Sequence, residues 1–307
     1  MNKKLIVIVG PTAVGKSALA VRLAKKFGGE IISADSRQVY KGLTIGSGKI
    51  TKKEMMGIPH HLLDVASLKR RFTVAQYRSR TIGAMASILR QGKLPILAGG
   101  SPFYIYSVVD GWTIPEVKPD QKLRNKLEKL STWQLFQKLN ALDPVRSKSI
   151  ESKNKRRLIR ALEIVLTTGK PVPPPNKVGR GSPTSVGGYP VLFLGLRKTP
   201  QELKKRIAKR LTIMLKKGFL REVNKLRSRG LSWKRIEEFG FEYKYAAWYL
   251  QKRISRQEMQ RKIQKGTEDF AHRQMVWFKR DPRIHWISSY AEAKRLIENY
   301  LQPISCR

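Results

Sequence analysis

The stretch Gly10-Pro11-Thr12-Ala13-Val14-Gly15-Lys16-Ser17 follows the apolar run Leu5-Ile6-Val7-Ile8-Val9 and leads into Ser17-Ala18-Leu19-Ala20-Val21-Arg22-Leu23-Ala24-Lys25-Lys26-Phe27. The run predicts a buried parallel strand and the segment after the loop a helix. Two glycines let the backbone between them wrap an anion with successive N–H groups pointing inward. Lys16 then meets the phosphate charge, Ser17 can hold Mg²⁺, and the helix start adds orphan N–H groups and the positive end of its dipole. Gly10, Thr12, Ala13, Val14, Gly15, Lys16 and Ser17 therefore form a candidate site for a di- or triphosphate.

Working outward, Glu30-Ile31-Ile32-Ser33-Ala34-Asp35-Ser36 is a second strand ending in an acid. Leu94-Pro95-Ile96-Leu97-Ala98 is a third that opens into Gly99-Gly100-Ser101. In an open parallel sheet the carboxyl ends of strands line the ligand crevice, so Asp35, Ser101 and the phosphate loop converge on one edge. An aspartate there has a second role open to it, as a turn or helix cap. The expected fold is α/β, a P-loop NTPase-like parallel sheet flanked by helices. Between these strands, residues 41–52 read as a mobile Gly- and Lys-rich loop, and Gly57 to Asp64 as a turn. His60 and His61 are adjacent, so they cannot both face one metal from a helix. Phe72 to Leu89 predicts a helix capped by Thr73 and stopped by Gly92.

At Pro115 the composition turns helical and basic. Helices are expected over Ser131–Leu142 and Lys153–Thr168. In the second, Leu158, Leu162, Val165 and Leu166 make the buried stripe, with Arg156, Arg160 and Glu163 on another face. Pro171 to Pro190 reads as loop. Residues 116–190 thus form an inserted helical subdomain, and residues 1–115 and 191–307 the core, which resumes with the strand Val191-Leu192-Phe193-Leu194-Gly195-Leu196. On the helix Pro200–Lys217, Arg206 and Arg210 lie one turn apart and can clamp a pyrophosphate or simply face solvent. Helices follow at Phe219–Arg229, Tyr243–Lys252 and Ser255–Phe278. The last mixes Arg261, Lys262, Lys265 and Arg273 with Phe270, Trp277 and Phe278, suited either to stacking on unpaired bases or to the core.

The chain has 63 Lys+Arg against 22 Asp+Glu, a formal net charge of +41. A small-metabolite enzyme has no use for such a field, whereas a polyanion partner does, because each neutralised phosphate releases counterions. Apolar runs are strand-sized and the N-terminus enters a core strand at once, so neither a membrane span nor a signal peptide is expected, and the chain reads as cytoplasmic. Cys306 is the one cysteine, which excludes an internal disulfide and a thiolate zinc site.

Taken in order, these motifs resemble the tRNA dimethylallyltransferase family, also called tRNA isopentenyltransferases. The resemblance rests on Gly10 to Ser17, Asp35-Ser36-Arg37-Gln38-Val39-Tyr40, Gly57 to Asp64, Phe72 to Arg78, Gly99-Gly100-Ser101 and Asn154-Lys155-Arg156-Arg157-Leu158-Ile159-Arg160-Ala161-Leu162-Glu163. It continues through Met214 to Glu222-Val223, Gly240-Phe241, Arg273-Gln274 and Trp277-Phe278.

The resemblance implies that the loop holds dimethylallyl diphosphate and that its five-carbon group moves to N6 of the adenosine 3′ of the tRNA anticodon. It makes Asp35 the general base, puts Ser101 in the place of the family's threonine, and sets Lys16, Ser17, Mg²⁺ and one of Arg206 and Arg210 on the leaving diphosphate. It places tRNA contacts at Asp35, Ser36, Arg37, Gln38, Ser101, Arg124, Arg156, Arg157, Arg160, Gly240, Phe241 and Arg273, with the chain acting as a monomer. Pro102 stands where the family carries glycine and takes away one backbone donor. An ATP-dependent small-molecule kinase of the shikimate or nucleotide kinase type is the alternative, since it shares the loop and the acid-tipped second strand.

Overall fold

The computed structural model describes residues 4–112, 115, 117–173, 184–185 and 189–302. Its strands are β1 (Leu5–Val9), β2 (Gly29–Ala34), β3 (His60–His61), β4 (Leu94–Gly99), β5 (Thr184–Ser185), β6 (Tyr189–Leu196) and β7 (Ile284–Ile287). Among the described residues, the helices up to the end of the inserted segment are α1 (Lys16–Phe27), α2 (Lys52–Met55), α3 (Val74–Arg90), α4 (Pro102–Val109), α5 (Gln121–Glu128), α6 (Thr132–Leu142), α7 (Pro144–Ser149) and α8 (Lys155–Thr168). After it come α9 (Pro200–Lys216), α10 (Phe219–Ser228), α11 (Trp233–Glu237), α12 (Phe241–Leu250), α13 (Arg256–Phe278) and α14 (Tyr290–Leu301).

The chain divides into two compact units, Met1–Gly111 with Val178–Arg307, and Trp112–Lys177. The first is built on a sheet ordered β3-β2-β4-β1-β6, with β7 on the far side of β6 and β5 antiparallel to the start of β6. All other pairings are parallel, with Ile6 opposite Ile96 and Leu192 and Ile31 opposite Ile96. A parallel sheet must be covered on both faces, which is why β1 and β2 are buried at every position. On one face Leu19, Ala20, Leu23 and Ala24 of α1 pack with Ile6, Ile8, Ile31, Ile96 and Leu194. Each such side chain contributes on the order of 1.5–3 kcal/mol by leaving water.

The helical unit has its own core of Leu127, Leu135, Leu139, Leu158, Ile159, Leu162 and Val165. Leu166, expected in the buried stripe, is 49% exposed. Ile159, Ala161 and Ile164 are buried instead, because α8 is covered on more than one side and carries the fully buried Glu163 in its middle. That carboxylate accepts bonds from Arg124 Nε (2.8 Å) and Nη2 (2.7 Å), Arg160 Nη1 (2.6 Å) and the Asp120 N–H (2.8 Å). Burial works against its charge, but the two guanidinium groups win and hold it below the ordinary glutamate range.

Other expectations shift in detail. His60 and His61 form the edge strand β3 rather than a turn, and His61 Nε2 meets Glu30 at 2.7 Å. The Pro171–Pro190 loop contains β5 and the first residues of β6, while residues 174–183 and 186–188 lie outside the described residues, as does Cys306. Helix α12 starts at Phe241, two residues before the expected start, with Gly240 as its N-cap. Pro102 sits at the first turn of α4, where its missing N–H is one that a helix start leaves unpaired in any case. Among the described residues no helix is long and apolar enough to cross a membrane.

Candidate active site

The phosphate loop leaves β1 at Gly10, which has φ 145° and where a Cβ would lie 2.5 Å from the Leu196 carbonyl oxygen, so only glycine fits. Ala13 is left-handed at φ 63° and Gly15 has φ 109°. A non-glycine residue held there costs on the order of 1 kcal/mol, a strain typical of ligand cradles. Lys16 Nζ donates to the Pro11 carbonyl at 2.7 Å, so the amine folds back over its own loop. Burial pushes this amine down to about 8; Asp35 opposes that shift and Arg210 adds to it. Ser17 is exposed in the first turn of α1 and lines the cavity.

That cavity, about 920 Å³, brings together Thr12, Ala13, Gly15, Lys16 and Ser17 of the loop with Asp35, Gln38, Gly99 and Gly100, while Val14 is turned into the core. Arg206, Lys209 and Arg210 from α9 and Lys53 from α2 also line it. Arg210 Nη1 reaches Thr12 Oγ1 at 3.2 Å and its Nη2 the Ser47 carbonyl at 3.3 Å. Arg206 is exposed, with Nη1 4.0 Å from where a Cβ on Gly15 would stand. Both arginines therefore face the phosphate loop. The same cavity is lined by the apolar side chains of Val21, Ile31, Ile50, Met56, Leu63 and Ile213. A charged cradle together with apolar walls suits a ligand with an anionic end and an apolar end.

Asp35 follows β2 directly. Its Oδ1 accepts from the backbone N–H groups of Arg37 (2.8 Å) and Gln38 (3.3 Å), an Asx turn, so the turn role that an isolated aspartate suggests is realised. The residue also lines the cavity. Ser101, which N-caps α4, receives the Ser36 N–H on Oγ at 3.1 Å. The phosphate loop, the acid and the hydroxyl thus meet at the carboxyl edge of one sheet. Residues 38–281 match the family described as IPP transferase. The chain belongs to the IPP transferase family.

Relatives extend the likeness over almost the whole length. A tRNA dimethylallyltransferase of Carboxydothermus hydrogenoformans is 39% identical over 297 residues, covering 95% of this chain and 94% of its own. One from Corynebacterium diphtheriae is 40% identical over 290 residues, covering 92% and 93%. Among solved structures, the tRNA isopentenylpyrophosphate transferase of Bacillus halodurans superposes with a TM-score of 0.71 at 32% identity, covering 98% of this chain and 96% of the other. A eukaryotic dimethylallyltransferase acting on tRNA gives 0.80 at 26% identity, covering 99% and 81%. Membership of the IPP transferase family sets the kinase alternative aside.

The remaining candidates of this IPP transferase fall into three groups. Arg37 donates to the Glu238 carbonyl and lies against Gly240, while Gln38 accepts from Ser33 Oγ (3.2 Å) and donates to the Gly48 carbonyl (3.2 Å). Of Ser36 to Gln38, Gln38 lines the cavity. Phe241 packs on Phe270, which lines the cavity, and Arg273 is exposed on α13. In the helical unit Arg124 and Arg160 are tied to Glu163, Arg157 pairs with Glu151 at 3.1 Å, and Arg156 is exposed. Phe278 is fully buried and belongs to the core, whereas Trp277 packs on the half-exposed Phe103.

Residues 41–52 are packed rather than mobile in character. Lys49 is buried, with Nζ on the Tyr40 carbonyl (2.9 Å) and Asp64 (2.6 Å). The Glu222 carboxylate collects the N–H groups of Thr44 (3.0 Å), Ile45 (2.6 Å) and Gly46 (3.1 Å) together with the Tyr243 hydroxyl (2.8 Å). Beneath the acid, Tyr77 stacks on Tyr104 at 3.8 Å and donates to the Ser33 carbonyl. Glu242 also lies near: burial lifts its carboxyl above the ordinary range, against the pull of Arg37 and Arg210.

Proposed function

We propose that this chain transfers the dimethylallyl group of dimethylallyl diphosphate to N6 of the adenosine 3′ of the anticodon in tRNA, releasing diphosphate. The observation that carries this reading is one cavity lined by a cationic phosphate cradle, apolar side chains and Asp35, with Ser101 tied to the residue after the acid. The allylic C–O bond breaks with its electron pair leaving on the diphosphate, and the N6 lone pair forms the C–N bond. Asp35 accepts the N6 proton. Loop N–H groups, Lys16, Arg206 and Arg210 stabilise charge on the departing oxygens, the kind of fixed electrostatic aid that costs no reorganisation during reaction. A general base on the amine is worth about 10²–10⁴-fold.

Ser17, at the helix start inside the cavity, is the donor that fits Mg²⁺ held chiefly by diphosphate oxygens, since this ion commonly binds through one or two protein groups plus phosphates. Bound there, the ion would neutralise charge on the leaving group. The base must be turned out of the anticodon loop to enter the cavity, as base-modifying chemistry requires. The net charge of +41 supports the polyanion partner.

The test is an incubation of purified protein, Mg²⁺ and unmodified tRNA with dimethylallyl diphosphate or with ATP, followed by nucleoside mass analysis. Prenylated adenosine only with the allylic donor is expected. Unmodified tRNA with both donors would refute the assignment.

A further inference from the structure

Gln274, in the C-terminal half of α13, is only 3% exposed and does no work that the transfer chemistry above has used. Its side-chain amide bridges two parts of the cavity. Oε1 accepts the backbone N–H of Thr12 in the phosphate loop at 2.8 Å, and Nε2 donates to the Gly100 carbonyl at the end of β4 at 2.5 Å. Gly100 has no room for a side chain, because a Cβ there would strike this same amide nitrogen. One residue further on, Ser101 Oγ receives the Ser36 N–H and the Ser101 N–H returns to the Ala34 carbonyl at 3.1 Å. A connected path therefore runs from the diphosphate cradle through Gln274 and Gly100–Ser101 to the residues on both sides of Asp35.

We infer that Gln274 is a positioning residue that sets the separation between the leaving diphosphate and the base that receives the N6 proton. This rests on the transferase reading of the same site. A primary amide suits the task because it supplies one acceptor and one donor on a short planar group, and each partner accepts only one of them: Thr12 offers an N–H and Gly100 a carbonyl. Its burial on a 23-residue helix fixes the amide against the core, unlike the cations of the cavity mouth. The inferred role concerns coupling. When an allylic C–O bond opens, the carbon is captured by whichever nucleophile stands nearest. With the cradle and the acceptor site held in register that nucleophile is N6. With the register loosened, water enters, its oxygen forms the new C–O bond, its proton leaves to solvent, and dimethylallyl alcohol appears with no modified adenosine. A misplacement of about 1 Å costs on the order of 10²-fold in such aligned reactions.

The experiment compares wild type with Gln274→Met, which keeps volume and loses both bonds, and Gln274→Glu, which keeps the acceptor for Thr12 and loses the donor to Gly100. Single-turnover transfer to tRNA, the ratio of dimethylallyl alcohol to modified adenosine, the Kd for inorganic diphosphate, and Tm are measured for each. For Gln274→Met, transfer is expected to fall roughly 10²-fold and the alcohol fraction to rise, with the diphosphate Kd changing less than about threefold. Gln274→Glu should fall between. If either soluble variant transfers at the wild-type rate with no added alcohol, the inference is wrong. It is equally wrong if transfer falls while the alcohol fraction stays at the wild-type level, because a purely structural role lowers all products together. Should Gln274→Met fail to fold, Gln274→Glu alone decides by the same two readouts. Failure of the wild type to modify tRNA would instead refute the transferase reading itself.

Discussion

The backbone N–H of Ser36 donates to the hydroxyl of Ser101 over 3.1 Å, so the residue after the acid is pinned to the end of the neighbouring strand. Because the hydroxyl accepts this bond, its own proton stays available to another acceptor. Ser101→Ala should lower single-turnover transfer about tenfold, the order of one hydrogen bond, and leave diphosphate affinity intact. Ser101→Thr should restore the rate, which rapid-quench assays would check.

Asp35→Asn separates the two duties of this side chain. An asparagine Oδ1 still accepts from Arg37 and Gln38, so the Asx turn and the Tm should survive. The amide cannot take a proton, and transfer should drop about 10²–10⁴-fold. Equilibrium binding of dimethylallyl diphosphate to the variant, measured by calorimetry, should match wild type; a wild-type turnover rate would remove Asp35 from the base role.

Lys16 makes diphosphate binding sensitive to alkali. The free amine loses its proton near pH 8, whereas an anion in the loop favours the charged form, so the complex binds more protons than the free protein. Affinity should be flat below that pH and weaken above it, by up to about tenfold per unit until the bound form titrates. Lys16→Arg, always charged, should flatten the profile in a titration with inorganic diphosphate.

Glu163 holds the helical unit together through charge. Glu163→Gln keeps the shape but leaves Arg124 and Arg160 without a carboxylate, and breaking a buried pair costs about 3–5 kcal/mol. Both guanidinium groups reach water, so about 2–3 kcal/mol is expected, read by hydrogen exchange of α5 and α8. Since the folded carboxyl titrates below its ordinary value of 4.5, its stabilisation is present above that pH and is lost as acid drives it through its folded value.

Binding of tRNA should weaken steeply with salt. Arg273 is exposed on α13, and Arg273→Ala should reduce the slope of log K against log salt by about 1. A slope unaffected by ionic strength in wild type would contradict the polyanion role assigned to the positive field.

Which parts of this site the sequence discloses follows from how local their causes are. The strand, phosphate loop and helix from Leu5 to Phe27 are contiguous, and the tips of β2 and β4 are readable because apolar runs end there in Asp35 and Ser101. The contact of Thr12 with Gln274 joins residues 262 apart, and that of Thr44 with Glu222 spans 178. No periodicity encodes such pairings, so Gln274 stood in a recognisable motif without a role. The same applies to residues 41–52, whose glycines and lysines suggest solvent until Glu222 and Asp64 are seen to fill them. Leu166 departs from the expected stripe because α8 is buried on more than one side. Short β7, with only four residues, and the helix α14 that follows it carry too weak a pattern to register.

In the sheet order, β4 lies between β2 and β1. The tip that carries the acid and the tip that carries the phosphate loop are therefore two ladder steps apart, roughly 10 Å of backbone spacing. This stride is set by peptide hydrogen bonds, so substitutions in the cavity leave the strand tips in place and act only on the loops beyond them, where Gln274 ties Thr12 to Gly100. Mutations can widen or narrow the walls, yet a donor must still bridge the distance between those two tips. Engineering for longer prenyl chains should therefore be sought among the apolar side chains that line the cavity, Ile50, Met56 and Ile213.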